Sequence, residues 1–245
     1  MTVLHLADEG EAADLAAFLS RLLHYDRSAA VRLQAAGTAL AVFGRPPSFE
    51  VLAVRTVRLA KPYEHGLDAT LDVTVSAGEL LESVDERSAT ARVPGAVTGP
   101  PWAGVLPPRG GWRAEPGLPA PDALRALVAA AVAEFRARTE ELAAEDRTRA
   151  ALDGIGREIW SRTVGDTGLP VRAVHAAQSL GFLRPRGASG PEAGIGTGSG
   201  SGSGSGSGED APRLFSSGAW LRLRTPFGSV ALRRAGTGAL GISVR

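Results

Sequence analysis

Apolar positions in the first part of the chain follow a helical pattern and then a strand-like one. An acidic capping box, Asp8 with Glu11 three residues later, precedes a one-sided apolar stripe, which predicts an amphipathic helix. The apolar positions of this helix are Leu15, Phe18, Leu19, Leu22 and Leu23. Apolar runs separated by turn residues then predict strands at 31–35, 39–43, 49–59 and 71–75. A second capping box at Ser76 predicts a short helix over 77–84.

Residues 88–121 form a proline-rich stretch without a periodic apolar pattern. Eight prolines exclude long regular elements there, and Trp102, Arg109 and Trp112 lie among them. A long loop of this kind either packs over a core or takes part in recognition. These three residues are therefore predicted to form a candidate recognition loop.

Apolar stripes predict three helices after this loop. They cover residues 122–144, 146–161 and 171–180. The third helix would present Arg172, His175 and Ser179 on its polar face, with Gln178 at the edge of that face.

The most informative pattern lies near the end of the chain, where apolar and cationic residues alternate around a turn. If Thr225 to Gly228 form the turn of a β-hairpin, Trp220 pairs with Arg233 and Arg222 with Ala231. The lower face then carries Leu221, Leu223, Val230 and Leu232, and the upper face carries Trp220, Arg222, Arg224 and Arg233. The upper face and Arg172 are predicted to bind an anionic partner. Because isolated hairpins are marginal in water, the apolar face is expected to dock on an edge of the N-terminal sheet.

Together these elements predict an α+β fold with an N-terminal helix and mostly antiparallel sheet, a central helical segment and a C-terminal hairpin docked on the body. The predicted segments are an α+β sheet unit at 1–87, the loop at 88–121, helices at 122–183, a glycine- and serine-rich loop at 187–212 and the hairpin at 213–245. The composition of 187–212 cannot bury enough apolar surface to fold, so a flexible loop, natural or engineered, is expected there. The hairpin is expected to pack with the main body as one domain.

Composition narrows the class of protein. The chain has 245 residues and no cysteine, which excludes disulfides, thiolate metal sites and thiol nucleophiles. Its start is acidic where a signal peptide would be basic, and no apolar run approaches the roughly 20 residues that span a bilayer. A cytoplasmic protein is therefore expected. Lys61 is the only lysine among 27 basic residues, which indicates a GC-rich genome of the actinobacterial kind.

Charge is distributed unevenly along a chain whose net charge is only +1. Residues 1–26 hold five acids and one base, whereas residues 180–245 hold eight arginines and three acids. Such asymmetry indicates either an anionic partner or an attraction between the two ends of the chain.

No motif in the sequence names a reaction. The four histidines lack metal-ligand spacing, and the chain contains neither a nucleophile elbow nor a phosphate-binding P-loop. A glycine-rich string that begins at Gly194 opens a low-complexity tract rather than a helix, so it fails as a dinucleotide fingerprint. The sequence therefore predicts no catalytic residue, no cofactor and no metal site.

Three phrases of the sequence resemble those of an uncharacterised actinobacterial protein family. They are WAGVLPPRGGW at 102–112, LPVRAVHAAQSLGF at 169–182 and WLRLRTPFGSV at 220–230. The resemblance covers most of the chain outside the glycine- and serine-rich tract. It implies no activity and no site residue.

The sequence thus favours a cytoplasmic protein that acts by binding, with an unknown protein as its most favoured partner and no membrane contact. The alternative is a DNA-associated regulator, because three helices followed by a basic hairpin match the order of a winged helix-turn-helix domain. In that interpretation the helix at 171–180 would read DNA and the hairpin would be the wing. An enzyme of unknown reaction is the third interpretation.

Overall fold

The computed structural model describes residues 2–60, 71–184 and 211–234. Within these ranges the strands are β1 Val3–His5, β2 Ala30–Ala36, β3 Ala39–Gly44, β4 Leu52–Arg58, β5 Leu71–Ser76, β6 Val84–Asp85, β7 Thr90–Arg92, β8 Arg113–Glu115, β9 Arg213–Ser217, β10 Trp220–Thr225 and β11 Gly228–Arg233. The helices are α1 Glu9–Tyr25, α2 Ala77–Glu82, α3 Pro121–Glu140, α4 Arg149–Ser161 and α5 Val171–Ser179. Short 3-10 helices cover Pro47–Phe49, Pro101–Gly104 and Ala144–Asp146. The fold is α+β, as the sequence pattern predicted, and nearly all of the predicted loop at 187–212 lies outside the described residues.

One large antiparallel sheet contains strands from both halves of the chain. In the described residues its eight strands follow the order β5-β2-β3-β4-β11-β10-β9-β8, and a second sheet has the order β1-β7-β6. The central contact pairs β4 with β11, with Ala53 opposite Val230. Each half of the large sheet is a three-strand meander with one further strand beside it. The hairpin therefore docks on the N-terminal sheet, as expected, and continues it.

The main core lies between one face of this sheet and the helices. Helix α1 buries Leu15, Phe18, Leu19 and Leu22, and the Asp8 side chain accepts a hydrogen bond from the Glu11 backbone at its N-cap. The ring of Phe18 stacks on Phe182, which follows α5, at a centroid distance of 5.7 Å. The same core takes in the apolar face of the hairpin, so helices and strands from both halves of the chain share it.

The hairpin has the register that the sequence predicted. Trp220 lies opposite Arg233, Arg222 opposite Ala231 and Thr225 opposite Gly228. The Thr225 hydroxyl donates to the Gly228 carbonyl at 2.9 Å and closes the turn. Glycine is required at 228, because φ is 154° and a Cβ atom would stand 2.5 Å from the Phe182 ring.

The proline-rich loop crosses the other face of the large sheet. Near β5, the Val97 backbone N–H donates a hydrogen bond to the Thr74 backbone carbonyl. The Ala103 carbonyl accepts a hydrogen bond from the guanidinium group of Arg32 on β2. Near β9, the Ser217 hydroxyl donates to the Gly110 carbonyl at 3.2 Å. This face also has its own buried apolar residues, namely Phe43, Leu52, Val54, Ala103 and Ala231. The loop is thus a strap over the sheet face that the helices leave uncovered.

The winged-helix arrangement is wrong for this chain. Helix α5 buries Val171, Ala173, Val174, Ala176 and Ala177 in the main core, and its polar residues Arg172 and His175 contact Glu50 and Trp160, so the helix is not presented as a recognition helix. Strands β10 and β11 are internal strands of the large sheet, with β9 and β4 as their outer neighbours. A wing must project from the body, and these strands do not. Among the described residues, no helix is both long and apolar enough to cross a membrane.

Ion pairs join α3 and α4 on their solvent side. Arg138 and Arg162 both donate to Glu158, at 2.8 and 2.9 Å, and Arg162 also pairs with Glu134. These hydrogen bonds lower the pKa of Glu158 from 4.5 to about 2.

We expect Glu158→Gln to lower the stability at pH 7 by a small, measurable amount. Because the folded pKa lies below the unfolded one, the contribution of Glu158 is fully present above about pH 4.5 and is lost toward pH 2. Urea unfolding of wild type and variant should therefore converge as the pH falls. Glu145→Gln, at an exposed position, is the control. A difference that persists at pH 2 would contradict the ion-pair explanation.

Candidate functional site

Alternation along β10 aligns aromatic and cationic side chains on the sheet face opposite the main core. Trp220, Arg222 and Arg224 lie on this face, whereas Leu221 and Leu223 between them are buried in the core. Arg233 on β11 stands opposite Trp220, and Arg213 on β9 stands opposite Arg224. We call these five residues, Arg213, Trp220, Arg222, Arg224 and Arg233, the arginine face.

Arg222 lies at the centre of the arginine face and is half-buried. Its Nε donates to the Ser229 hydroxyl at 2.9 Å, and its guanidinium carbon lies 5.7 Å from the centre of the Trp112 ring. Burial, and then repulsion from Arg224, lowers the pKa of Arg222. Arginine stays protonated at neutral pH, so Arg222 keeps a positive charge in a half-buried position.

Two arginines of this face, Arg224 and Arg233, are exposed. Within the described residues, neither Arg224 nor Arg233 makes an ion pair, and the contact of Arg233 is with the Trp220 ring at 5.8 Å. At the other end of the same sheet face, Arg32 pairs with Asp72 at 2.8 Å. The positive charges of Arg224 and Arg233 are therefore not neutralised by an acidic side chain of the described residues.

The strap brings part of the predicted recognition loop to this surface. Trp112 stands over Arg222, and its indole N–H donates to the Pro108 carbonyl at 3.0 Å, which holds the ring in place. Arg109 is exposed. The pKa of Asp72 is lowered, first by the hydrogen bond from Arg32 and in smaller part by Arg109. Trp102 is half-buried in the 3-10 helix of the strap.

Arg172 lies apart from the other predicted residues. It is on α5, across the sheet from the arginine face, and its Nε lies 3.5 Å from a carboxylate oxygen of Glu50. The two sides of the sheet therefore do not form one continuous cationic surface. Arg172 is therefore separate from the hairpin arginines, because α5 packs against the 3-10 helix at 47–49 and against α4.

A groove that the sequence did not reveal lies on the helix side, beside Arg172. It has a volume of about 1010 Å³ and runs between the 3-10 helix at 47–49 and helices α3, α4 and α5. Its lining residues include one stripe of α4, with Arg149, Leu152, Asp153, Gly156, Arg157 and Trp160. The spacing i, i+3, i+4, i+7, i+8, i+11 was a signal in the sequence, but the mixture of charged, small and aromatic residues hid it.

A series of ring contacts ends at this groove. The His175 ring stacks on Trp160 at 4.6 Å and meets the edge of Phe49 at 5.1 Å. Phe49 in turn contacts Tyr25, and Trp160 lies 6.3 Å from Phe135 on the other side. Burial lowers the pKa of His175, so its imidazole is neutral at pH 7. The described residues contain no group of three or more histidine, aspartate or glutamate side chains placed to hold a metal ion.

Residues 107–237 match the model of a domain of unknown function, DUF8185, and the chain belongs to this family. Residues 1–104 match a second domain of unknown function, DUF8010, so the two matches meet within the strap. No curated protein has a matching sequence. Among solved structures, a DNA polymerase sliding clamp from Pseudomonas aeruginosa aligns with 97% of this chain at 13% identity and a TM-score of 0.44. This chain spans 66% of the length of that clamp chain.

Proposed function

We propose that this protein is an interaction protein that binds an acidic segment of a partner protein with its arginine face. The observation that carries the proposal is the register of the hairpin, which aligns Arg222, Arg224 and Arg233 on one sheet face without an acidic partner among the described residues. An acidic segment would supply the missing counter-charge. It would also offset the repulsion that Arg224 exerts on Arg222.

The surroundings of the arginine face support protein recognition. Arginine and tryptophan are the residues most enriched in binding hot spots, and this face combines them with Trp112 from the strap. The internal strands and the hydrogen bonds of the strap hold these side chains in place before a partner arrives. Such pre-organisation lowers the entropy lost on binding.

Single-stranded nucleic acid is the second candidate partner for the same face. It is favoured by the two arginine–tryptophan pairs, Arg222 with Trp112 and Arg233 with Trp220, because rings beside cations can stack bases and contact phosphates. Duplex reading by α5 is not proposed, since that helix is packed in the core.

We expect the double variant Arg224→Ser/Arg233→Ser to bind a fluorescent poly-glutamate peptide roughly tenfold more weakly than wild type. Both positions are exposed, so folding should be preserved. Fluorescence anisotropy at two salt concentrations should show that salt weakens wild-type binding more than variant binding. The matched control is Arg45→Ser/Arg136→Ser, which removes the same charge from exposed positions elsewhere.

The same titration with oligo(dT) separates the two candidate partners. Tighter binding to oligo(dT) than to the peptide, weakened by Trp220→Leu, would replace the protein partner with a nucleic acid. If wild type binds neither probe, or if the control weakens binding as much as the double variant, the arginine face is not a binding site.

A further inference from the structure

A small cavity lies between helix α1, strand β4, the turn that joins β10 to β11 and the segment that follows α5. It shares no lining residue with the arginine face or with the groove along α4. Its volume of about 10 Å³ is the space that a single water-sized species needs. Its charged lining residues are Arg21, Arg55, Arg184 and Asp14, so cationic side chains predominate.

Two buried hydrogen-bond donors at this cavity have no acceptor. The Arg55 side chain is only 8% exposed. Its terminal nitrogens donate to the Phe227 carbonyl and to the carboxylates of Glu11 and Asp14. The Nε atoms of Arg55 and Arg184 are buried and have no hydrogen-bond partner in the described part of the chain. Because a buried donor without an acceptor is unfavourable, an acceptor is expected in the cavity.

Arg21 brings a third cationic group to the same cavity. It is half-buried on α1, and no acidic side chain of the described residues pairs with it. Its guanidinium lies against Gly181, where an added Cβ atom would stand 2.9 Å from the guanidinium carbon. Gly181 follows α5 with a φ of 76°, in the left-handed region that favours glycine. The lack of a side chain at this position therefore leaves room for the Arg21 guanidinium at the cavity wall.

The ion pairs around the cavity leave the charge of Arg21 uncompensated. One linked network pairs three acids of α1 and its N-cap with three arginines, namely Asp8, Glu11 and Asp14 with Arg55, Arg58 and Arg184. The charges within this network balance, so Arg21 adds one excess positive charge. A water molecule could accept from the two Nε atoms, but it would not neutralise this charge. A single monovalent anion would do both, and charges attract more strongly where water is partly excluded.

We propose that this cavity binds one small monovalent anion, of which chloride is the representative. The ion accepts hydrogen bonds from the Nε atoms of Arg55 and Arg184 and is the counter-ion of Arg21. The volume of about 10 Å³ is too small for a nucleotide or another phosphate ester. Because the three arginines come from α1, β4 and the segment after α5, the bound ion connects the two halves of the chain and stabilises the folded protein.

Urea unfolding at constant ionic strength tests the proposal, with sodium gluconate exchanged stepwise for sodium chloride. Gluconate has the same charge as chloride but is far too large for the cavity. An ion that binds only the folded protein lowers the unfolding equilibrium constant as its concentration rises. We expect that constant to fall about tenfold or more between about 1 and 300 mM chloride. Sodium bromide should have the same effect as sodium chloride.

A pair of variants assigns the chloride effect to the cavity. Arg21→Gln removes the uncompensated charge, so the unfolding constant should change less than about twofold over the same chloride range. Arg27→Gln removes the same charge from an exposed position just beyond α1 and should keep the wild-type response. The readout is the response to chloride rather than the absolute stability, so a variant that is less stable but still folded remains informative.

Crystals of the wild-type protein soaked in sodium bromide locate the ion directly. Bromide scatters anomalously, and we expect an anomalous peak in the cavity within hydrogen-bonding distance of the Nε atoms of Arg55 and Arg184. The proposal is overturned if the cavity holds only water in these crystals, or if chloride and gluconate stabilise the wild-type protein equally. It is also overturned if Arg21→Gln responds to chloride as strongly as Arg27→Gln, because the excess charge would then have no part in binding.

Discussion

Leu223→Asp is expected to remove most of the stability of the whole protein, even though Leu223 lies only two residues before the end of β10. Its side chain is completely buried between Val230 and Leu214 on the neighbouring strands. The substitution forfeits about 1.5–3 kcal/mol of apolar burial. It also places a carboxylate in the core, which costs several kcal/mol more. Because domains are typically stable by about 5–15 kcal/mol, much of the variant should be unfolded.

Urea unfolding followed by circular dichroism measures this effect, and Arg224→Asp is its matched control. Arg224 is the next residue along β10, but it is exposed on the opposite face and stands opposite Arg213. An aspartate there should change stability by no more than about 0.5 kcal/mol. Arg222 is less suitable as a control because it is half-buried and bonded to Ser229. Equal destabilisation by Leu223→Asp and Arg224→Asp would contradict the assignment of the two faces.

The hairpin was predictable from the sequence because its determinants are local. The segment from Thr225 to Gly228 contains proline at the second position and glycine at the fourth, which favours a tight turn. The apolar–polar alternation on either side then allows one register without burying arginine. For the same reason, local pattern alone was sufficient to place Trp220, Arg222, Arg224 and Arg233 on one face of the hairpin.

Strands β8 and β9 were not predicted, because their sequences carry little strand signal of their own. Strand β8 has three residues, and β9 includes Ser216 and Ser217. Each strand forms because it pairs with the free edge of a neighbouring strand. Strand β9 pairs with β10, and β8 pairs with β9. Pairing between distant segments is a tertiary effect that local propensity does not report. The predicted hairpin is therefore part of a four-strand unit, and it was described too narrowly.

Helix α5 was placed correctly along the chain but given the wrong surroundings. Its alanines, such as Ala173 and Ala177, allow close packing on several sides, whereas the sequence suggested an exposed polar face with Arg172 and His175. Both of these polar residues found partners from distant segments, Glu50 and Trp160. A nine-residue amphipathic pattern does not show which neighbours will cover its polar side.

The groove was missed for a related reason. Its walls are contributed by the 3-10 helix at 47–49 and by α3, α4 and α5, so no local spacing marks it as a site. The strand predicted to begin at Phe49 instead begins at Leu52, because Pro46 and Pro47 favour a 3-10 turn first. That turn places Glu50 beside Arg172. The position of the groove depends on how these elements pack together, and predicting each element from the sequence did not reveal it.

Arg55→Met is expected to be the most damaging single loss of a charged side chain, at about 3–5 kcal/mol. Arg55 lies on the core side of β4 and is almost completely buried. Its guanidinium donates to Asp14 at 2.9 Å, to Glu11 at 3.3 Å and to the Phe227 carbonyl at 2.7 Å. It therefore joins α1 to the turn between β10 and β11. Without the guanidinium group of Arg55, the carboxylates of Glu11 and Asp14 and the Phe227 carbonyl each lose a hydrogen-bond donor.

Arg58→Met is the matched control for this prediction. Arg58 is on the same strand and pairs with the same Glu11 at 2.8 Å, but its side chain is 68% exposed. Exposed ion pairs contribute little to stability, so this variant should unfold at nearly the wild-type urea concentration. The contrast separates burial from the number of ion pairs, because both arginines contact Glu11 and one further acid.

A double-mutant cycle between Arg55 and Asp14 tests the mechanism. Asp14 also accepts from Arg184 at 2.6 Å, so the acidic start of the chain does contact its arginine-rich later part. If the buried pair is the cause, Arg55→Met/Asp14→Leu should lose less than the sum of the two single variants, since it leaves fewer uncompensated charges in the cluster. Additive losses, or a loss for Arg55→Met no larger than for Arg58→Met, would show that the cluster does not stabilise the junction between the two halves of the chain.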